Sequence, residues 1–191
     1  MAAADRRRAI LNVVVPLLAE KGSSLTTAQV ARAAHIAEGT IFRVFPDKSA
    51  LIYEAVKATM DPTAVADAIR AIGAAAPMRV QLAEAVRVLR DYFNQMTGLG
   101  ESLRSASALP GARQRDVGRL IKESSIVISA ALVELFERHR AELRVSPSTA
   151  TAAFRGLVFA SAHPLLPPRE RLAMEDTVNI LLSGIAKHEG I

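Results

Sequence analysis

The 191-residue sequence contains no cysteine, and its apolar residues come only in short bursts such as VISAALVELF at 127–136. The first absence excludes disulfide bridges, thiolate metal ligands and a cysteine nucleophile. The second leaves no run near the roughly 20 apolar residues that a membrane helix requires. The N-terminus has the basic start of a secretory signal, but Asn12, Pro16 and Glu20 interrupt its apolar part. We therefore expect mature structure from the start of the chain, no membrane span, and a cytoplasmic location.

Histidine is almost as scarce as cysteine, with four residues in the chain. They are too scattered to form a metal-ligand cluster. Ser161 and His163 lie close together in the sequence, but a pair at this spacing readily arises by chance. We therefore expect no catalytic residue, no metal site and no cofactor.

Basic residues exceed acidic ones, giving a formal net charge of +5 and a pI near 10.1. Residues 1–60 hold eight Lys or Arg against five Asp or Glu, so this first third carries most of the excess. Such a balance favours an anionic partner at the N-terminal end. The run Arg6, Arg7 and Arg8 fits two interpretations, a solvated helix end or a contact with phosphate or the minor groove.

Helical periodicity runs through nearly the whole chain, and no Asn-Gly or Asp-Gly turn separates alternating apolar runs. The pattern predicts an all-α protein. Pro, Gly and capping residues divide it into segments. The predicted helices cover residues 4–21, 26–35, 38–45, 48–59, 61–73, 78–96, 114–140, 148–162 and 170–187, and residues 98–112 are predicted to be a loose segment with one helical turn at most.

Aromatic residues make up only 4% of the chain, yet two phenylalanines fall three positions apart in EGTIFRVFPDKSAL, residues 38–51. Helical spacing places Phe45 on the same face as Ile41, whereas Phe42 and Arg43 turn to a different side. Two short helices joined by a tight turn cannot bury their apolar faces alone, so they must pack on longer neighbours. We therefore expect Phe45 in the core, and a helix-turn-helix whose second short helix presents Phe42 and Arg43.

The stretch TTAQVARAAHIAEGTIFRVFPDKSAL, residues 26–51, resembles the TetR family of bacterial transcriptional regulators. The positions that match the family pattern are Thr26, Thr27, Val30, Ala31, Ala34, Ile36, Gly39, Thr40, Ile41, Phe45, Lys48 and Leu51. The resemblance implies an N-terminal three-helix helix-turn-helix DNA-binding domain, residues 1–60. It further implies a larger C-terminal helical domain, residues 61–191, for ligand binding and dimerisation.

The resemblance also implies roles in DNA binding. Thr27 and Lys48 would hold phosphates, and Arg43 would be the best candidate for a guanine contact. The full set of implied DNA-binding residues is Thr26, Thr27, Glu38, Gly39, Thr40, Phe42, Arg43 and Lys48. The sequence departs from the family pattern at Phe42, which lacks the usual tyrosine hydroxyl, and at His35, which replaces a turn glycine where φ is expected to be positive.

Two further groups of apolar residues are candidates for other roles. Residues that could flank a ligand cavity are Val86, Leu89, Phe93, Met96, Ile128, Leu132 and Phe136. Residues that could form a dimer interface from the last two helices are Phe154, Leu157, Val158, Val178, Leu181, Leu182 and Ile185. The alternative for both groups is that they close the domain's own core.

These features predict a sequence-specific DNA-binding transcriptional regulator, a homodimer that represses from a double-stranded operator and is released by a small-molecule effector of unknown identity. Two other classes remain: a helical ligand carrier or small enzyme that retains an unused N-terminal module, and a helical module that binds another protein.

Overall fold

The computed structural model describes residues 3–104, 111–162, 166–167, 169 and 171–186, and every regular element in these ranges is helical. The α-helices are α1 Ala3–Lys21, α2 Thr27–Ala33, α3 Glu38–Val44, α4 Lys48–Thr59, α5 Thr63–Arg70, α6 Met78–Arg104, α7 Gly111–Glu137, α8 Pro147–Ala162 and α9 Met174–Ile185. Leu143 and Ala186 form an isolated antiparallel bridge. The predicted all-α class is confirmed. None of the described helices is long and apolar enough to cross a membrane.

The helices divide into two compact units. The first comprises Met1–Asp61 and Gln95–Glu123, and the second comprises Pro62–Asn94 and Ser124–Ile191. Helices α6 and α7 therefore each give residues to both units. Because of this sharing, the assignment of residues 1–60 and 61–191 to separate functional domains stays a prediction.

The first unit is organised around one apolar cluster. Its buried members are Ile10, Val14, Leu18, Leu25, Val30, Ala31, Ile41, Phe45, Leu51, Ile52, Ala55, Val56 and Met60. Spacings of three and four residues put the α1 and α4 members on single faces of their helices, which is why these helices bury one stripe each. The guanidinium of Arg7 lies 4.9 Å from the centroid of the Phe45 ring and pairs with Glu54 at 2.9 Å. Arg7 is thus engaged within the fold.

The second unit has its own core, in which the rings of Phe136 and Phe154 meet edge to face with centroids 5.9 Å apart. Arg70 at the end of α5 forms a bidentate pair with Glu134, through contacts of 2.9 and 3.2 Å. Arg138 donates to the carbonyl oxygens of Arg70 and Ile72. These bonds satisfy carbonyls that the end of a helix leaves without partners, and they fix the end of α5 against α7.

One sequence expectation is wrong. In the segment 98–112, predicted to be loose, residues 98–104 with Gly98 and Gly100 are helical because α6 continues to Arg104, and α7 begins at Gly111; residues 105–110 lie outside the described part of the chain. Each glycine costs a helix only about 1 kcal/mol, and the continuation of two long helices outweighs that cost.

Candidate DNA-binding surface

The start of α2 is fixed by a capping box. The Thr26 hydroxyl accepts from the backbone N–H of Gln29 at 3.2 Å, and the Gln29 side chain accepts from the Thr26 N–H at 3.0 Å. Two backbone donors at the helix end are satisfied reciprocally in this way. Thr26 therefore orients the helix, and its side chain is engaged in that role.

The turn between α2 and α3 depends on His35, which has φ of 53°. The N–H of Ile36 donates to the Ala31 carbonyl at 3.0 Å, and the N–H of His35 donates to the Arg32 carbonyl at 3.2 Å. This pair of bonds is the Schellman arrangement, which ends a helix with one residue in the left-handed region. The positive φ expected at His35 is confirmed, and the turn sets the direction of α3.

Helix α3 has a buried side and an exposed side. Ile41 on the helix and Phe45 at its end are buried in the core of the first unit, as predicted. Gly39, Phe42 and Arg43 are exposed, and 47% of Phe42 is accessible. Positions 39, 42 and 43 are related by helical spacing, so these residues share a face. An added Cβ at Gly39 would meet nothing within 4 Å, so this face is open.

Thr27 and Glu38, both implied to contact DNA, contact each other in this structure. The Thr27 hydroxyl donates to the Glu38 carboxylate at 2.5 Å, which joins the first residue of α2 to the first residue of α3. A phosphate approaching Thr27 therefore meets a carboxylate already bound there. Thr40 is half-buried, and its N–H donates to the Ala37 carbonyl.

Lys48 is exposed at the start of α4, next to the helix cap Asp47. The Asp47 carboxylate accepts from the Ser49 hydroxyl at 2.8 Å, from the Ala50 N–H at 2.6 Å and from Arg113 of α7 at 3.0 Å. These hydrogen bonds, chiefly those from Ser49 and Ala50, lower the pKa of Asp47 to about 2. Arg113 was not among the sequence candidates, because nothing local in the sequence relates it to a residue 66 positions earlier.

The predicted ligand-binding residues fall in different places. Val86, Leu89, Ile128, Leu132 and Phe136 are buried in the second unit, and Phe93 is half-buried there. Met96 belongs instead to the first unit, where it packs against the apolar cluster, and so it is not grouped with the others. The ligand-binding role of these residues stays a prediction.

The predicted dimer residues need a correction. Phe154, Val158, Val178, Leu181 and Ile185 are buried within a single chain, with Phe154 0% exposed and Leu181 1% exposed. They have almost no surface to offer a second chain, so they are core residues of the second unit. Leu157 and Leu182 are half-buried. The apolar residues that α8 and α9 do expose include Phe159 and Ile180.

No group of three or more His, Asp or Glu side chains suited to a metal ion occurs in the part of the chain that the structure describes.

Comparison with known proteins finds a match to the N-terminal helices. Residues 10–55 match the family model described as bacterial regulatory proteins, tetR family, and this segment contains α2, α3 and the turn between them. Among curated proteins the sequence has no significant match.

Several solved structures share the fold of the whole chain. A TetR-family transcriptional regulator from Mesorhizobium loti is 19% identical, with a TM-score of 0.73 over 98% of this chain and 100% of that one. A TetR transcriptional regulator from Streptomyces coelicolor is 25% identical, with a TM-score of 0.61 over 94% of this chain and 98% of that one. The superantigen PfiT is 19% identical, with a TM-score of 0.64 over 99% of this chain and 100% of that one. The fold therefore extends along the whole chain, but by itself it does not fix the function.

Proposed function

We propose that this chain, a TetR-family transcriptional regulator by its N-terminal domain, is a repressor that binds its operator as a homodimer and leaves it when a small molecule binds. The observation that carries this proposal is the exposed face of α3 formed by Gly39, Phe42 and Arg43. Ile41 and Phe45 pack the other side of this short helix into the core, which leaves the exposed face to enter the major groove.

Within this face Arg43 is the residue we assign to a base. Its guanidinium has the planar fork that matches the O6 and N7 acceptors of guanine. Gly39 would let the DNA backbone approach α3 closely, since a Cβ there has open space around it. Lys48 would contact a phosphate, a contact that orients the protein without reading sequence.

Glu38 would contribute to sequence selectivity. Its carboxylate repels phosphates, and it accepts a hydrogen bond from the Thr27 hydroxyl. It becomes favourable where it accepts from a cytosine amino group, and the Thr27 hydroxyl is then released for a phosphate. Sequence preference at this position would thus arise partly from the penalty at wrong bases.

Operator binding requires two copies, because one recognition helix offers too few contacts for operator-level affinity. We place the two-fold interface on the exposed faces of α8 and α9, which carry Ala152, Gly156, Ile180 and Gly184. Gly156 and Gly184 lie inside helices, where glycine is unfavourable, and a Cβ at either would meet nothing in the same chain. Close approach of a second helix is a physical reason for glycine at such positions.

Release by a ligand requires a connection between the two units, and α6 and α7 provide it because each belongs to both. Val117 and Leu120 of α7 pack against the apolar cluster of the first unit, and Arg113 binds Asp47 beside Lys48. A ligand that binds better when α6 and α7 are displaced would shift the dimer away from the spacing of successive major grooves, about 34 Å.

The experiment is a fluorescence anisotropy titration of labelled DNA from upstream of the chain's own gene, over a range of salt concentrations. Arg43→Ala should cost on the order of 1–3 kcal/mol at one base position and relax specificity there, whereas Lys48→Ala should weaken binding to all sequences and reduce the salt slope. Arg87→Ala, at an exposed arginine of the second unit, is the matched control and should bind as the wild type does.

If Arg43→Ala weakens binding to operator and random DNA equally, Arg43 does not contact a base edge. A wild type that forms no sequence-specific complex with any upstream fragment would favour the ligand-carrier or protein-binding classes over the regulator.

A further inference from the structure

Arg155 is the only charged residue in the sequence of α8, PSTATAAFRGLVFASA. Its side chain is half-buried against α7. One terminal nitrogen, Nη1, donates to the Ser129 hydroxyl and to the Ser125 carbonyl, and the other, Nη2, donates to the Ser125 hydroxyl at 2.8 Å. Among the described residues no carboxylate lies within 4 Å of this guanidinium. A partly buried positive charge is thus held by neutral hydroxyl and carbonyl groups alone.

The same place contains two buried polar atoms without partners among the described residues: Nε of Arg155 and the hydroxyl of Thr151. Thr151 precedes Arg155 by four positions, so both side chains leave the same side of α8. A buried donor without an acceptor is costly, and native structures rarely keep two together without a reason. Nε of Arg155 can only donate and the Thr151 hydroxyl can donate as well as accept, so an acceptor can serve both, and the charge of Arg155 makes an anion the best one.

The geometry of the guanidinium indicates which class of anion it can bind. Three bonds to the serines use Nη1 and one N–H of Nη2, which leaves Nε–H and a second N–H of Nη2 on the same edge. This edge binds the two oxygens of a carboxylate in parallel. One guanidinium neutralises one negative charge, so a monoanion fits better than a phosphate dianion.

The surroundings of Arg155 are aromatic. Phe159, four residues further along the same side of α8, meets Phe93 edge to face with centroids 5.4 Å apart, and Tyr92 lies beside Phe93 at 6.0 Å. Phe159 keeps 50% of its surface accessible. Burial lowers the pKa of the Arg155 guanidinium, and the neighbouring Tyr92 partly opposes that effect.

We propose that Arg155, Thr151 and the rings of Phe93 and Phe159 form a binding site for a small organic acid, with the carboxylate on Arg155 and Thr151 and the apolar body on the rings. This inference rests on the proposed function in one respect: it takes the second unit as the one that binds the effector. It adds the chemical class of that effector, a monocarboxylate with an alkyl or aryl body.

The test is calorimetric titration of the full-length protein, without DNA, with octanoate and phenylacetate. Their neutral matches are octanamide and phenylacetamide, and inorganic phosphate represents the anion without an apolar body. At least one acid should bind, its amide should bind on the order of tenfold more weakly or worse, and phosphate should not compete. Equal binding of acid and amide, or binding of neither acid at millimolar concentration, would overturn the proposal.

Two variants separate ligand binding from structure. Arg155→Gln should lose acid binding by about tenfold or more, whereas Arg87→Gln, at an exposed arginine of the same unit, should bind as the wild type does. Thr151→Val removes an unpartnered hydroxyl at nearly constant volume, so it should raise the Tm of the free protein while weakening acid binding several-fold. A Thr151 with only a structural role would not raise the Tm and weaken acid binding together. Thr151→Val therefore tests the proposed site even if Arg155→Gln does not fold.

The proposal and the repressor mechanism fail separately. An acid that binds at this site but leaves the operator complex intact supports the site and contradicts release by this ligand. Operator release by another compound, with no acid binding at Arg155, contradicts the site and leaves the repressor mechanism standing.

Discussion

Adjacent residues of α9 give opposite predictions for the same substitution. Leu181 is buried in the core of the single chain, whereas Ile180 beside it is 48% exposed. If the exposed faces of α8 and α9 form the dimer, glutamate at position 180 should separate the two copies and leave each folded. Glutamate at position 181 should unfold the second unit itself.

The expected change in free energy for each substitution follows from how deeply the residue is buried. Leu181→Glu loses the packing of a buried leucine and places an unpaired carboxylate in the core, a total of about 4 kcal/mol or more. That loss approaches the whole stability of a typical domain, about 5–15 kcal/mol. Ile180→Glu should change the stability of one chain by less than about 0.5 kcal/mol, because position 180 is half exposed. A two-fold dimer contains two copies of the substitution, so two carboxylates are buried at the interface. If each weakens dimerisation by about 2 kcal/mol, the dimer Kd rises about a thousandfold.

The assay is sedimentation of the wild type and both variants at micromolar concentration, beside thermal unfolding followed by helicity. The wild type should be a dimer, Ile180→Glu a folded monomer, and Leu181→Glu unfolded or strongly destabilised. A dimeric Ile180→Glu would refute the placement of the interface on this face of α9. A folded, monomeric Leu181→Glu would show that Leu181 serves the interface rather than the core, and a wild type that stays monomeric would contradict the operator mechanism itself.

Three further predictions concern the N-terminal unit. Phe42→Tyr should tighten operator binding by about 1–2 kcal/mol, because a hydroxyl at this exposed position can donate to a phosphate oxygen; no gain in an anisotropy titration would mean that Phe42 points away from the DNA backbone. His35→Gly should stabilise the protein by about 0.5–1 kcal/mol, since glycine adopts the positive φ without strain, and a Tm equal to or below that of the wild type would contradict this account of the turn. Asp47, whose pKa is lowered from 3.8 to about 2, contributes stability that is present above pH 4 and lost as the pH falls through 2. The Tm of the wild type should therefore fall more steeply between pH 4 and pH 2 than that of Asp47→Asn, and parallel curves would rule out this contribution.

The helix-turn-helix was predictable from sequence because its signals are local. Thr26 and Asp47 cap their helices through bonds that span three residues, and Pro46 separates α3 from α4. The positive φ of His35 followed from a residue type that tolerates it at a position where glycine is usual. The burial of Ile41 and Phe45 followed from helical spacing alone.

The second unit was less predictable because an apolar stripe on a helix is compatible with both a core and a dimer interface. An apolar stripe shows which side of a helix is buried, but it does not show whether the covering surface is the same chain or a second copy. Phe154 and Leu181 were assigned to a dimer for that reason and are core residues. The contacts of Arg113 with Asp47 and of Arg155 with Ser125 join residues 66 and 30 positions apart, and no local pattern indicates them.

The two units differ in how well the sequence predicts them, and this difference has a chemical origin. Every operator presents the same phosphates at the same spacing, so a surface that binds DNA must keep certain side chains at certain positions, and those positions form a readable motif. Effectors vary, and the apolar residues that enclose them are the residues that also fill a core. The informative residue in such a domain is one that an apolar core would not tolerate. Arg155 meets that criterion: a guanidinium in an otherwise uncharged helix costs desolvation energy, and neutral hydroxyl and carbonyl groups alone compensate it poorly. If this chain binds an effector at the site that we propose, the charge within the apolar helix is therefore a better indicator of that site than any of the apolar residues around it.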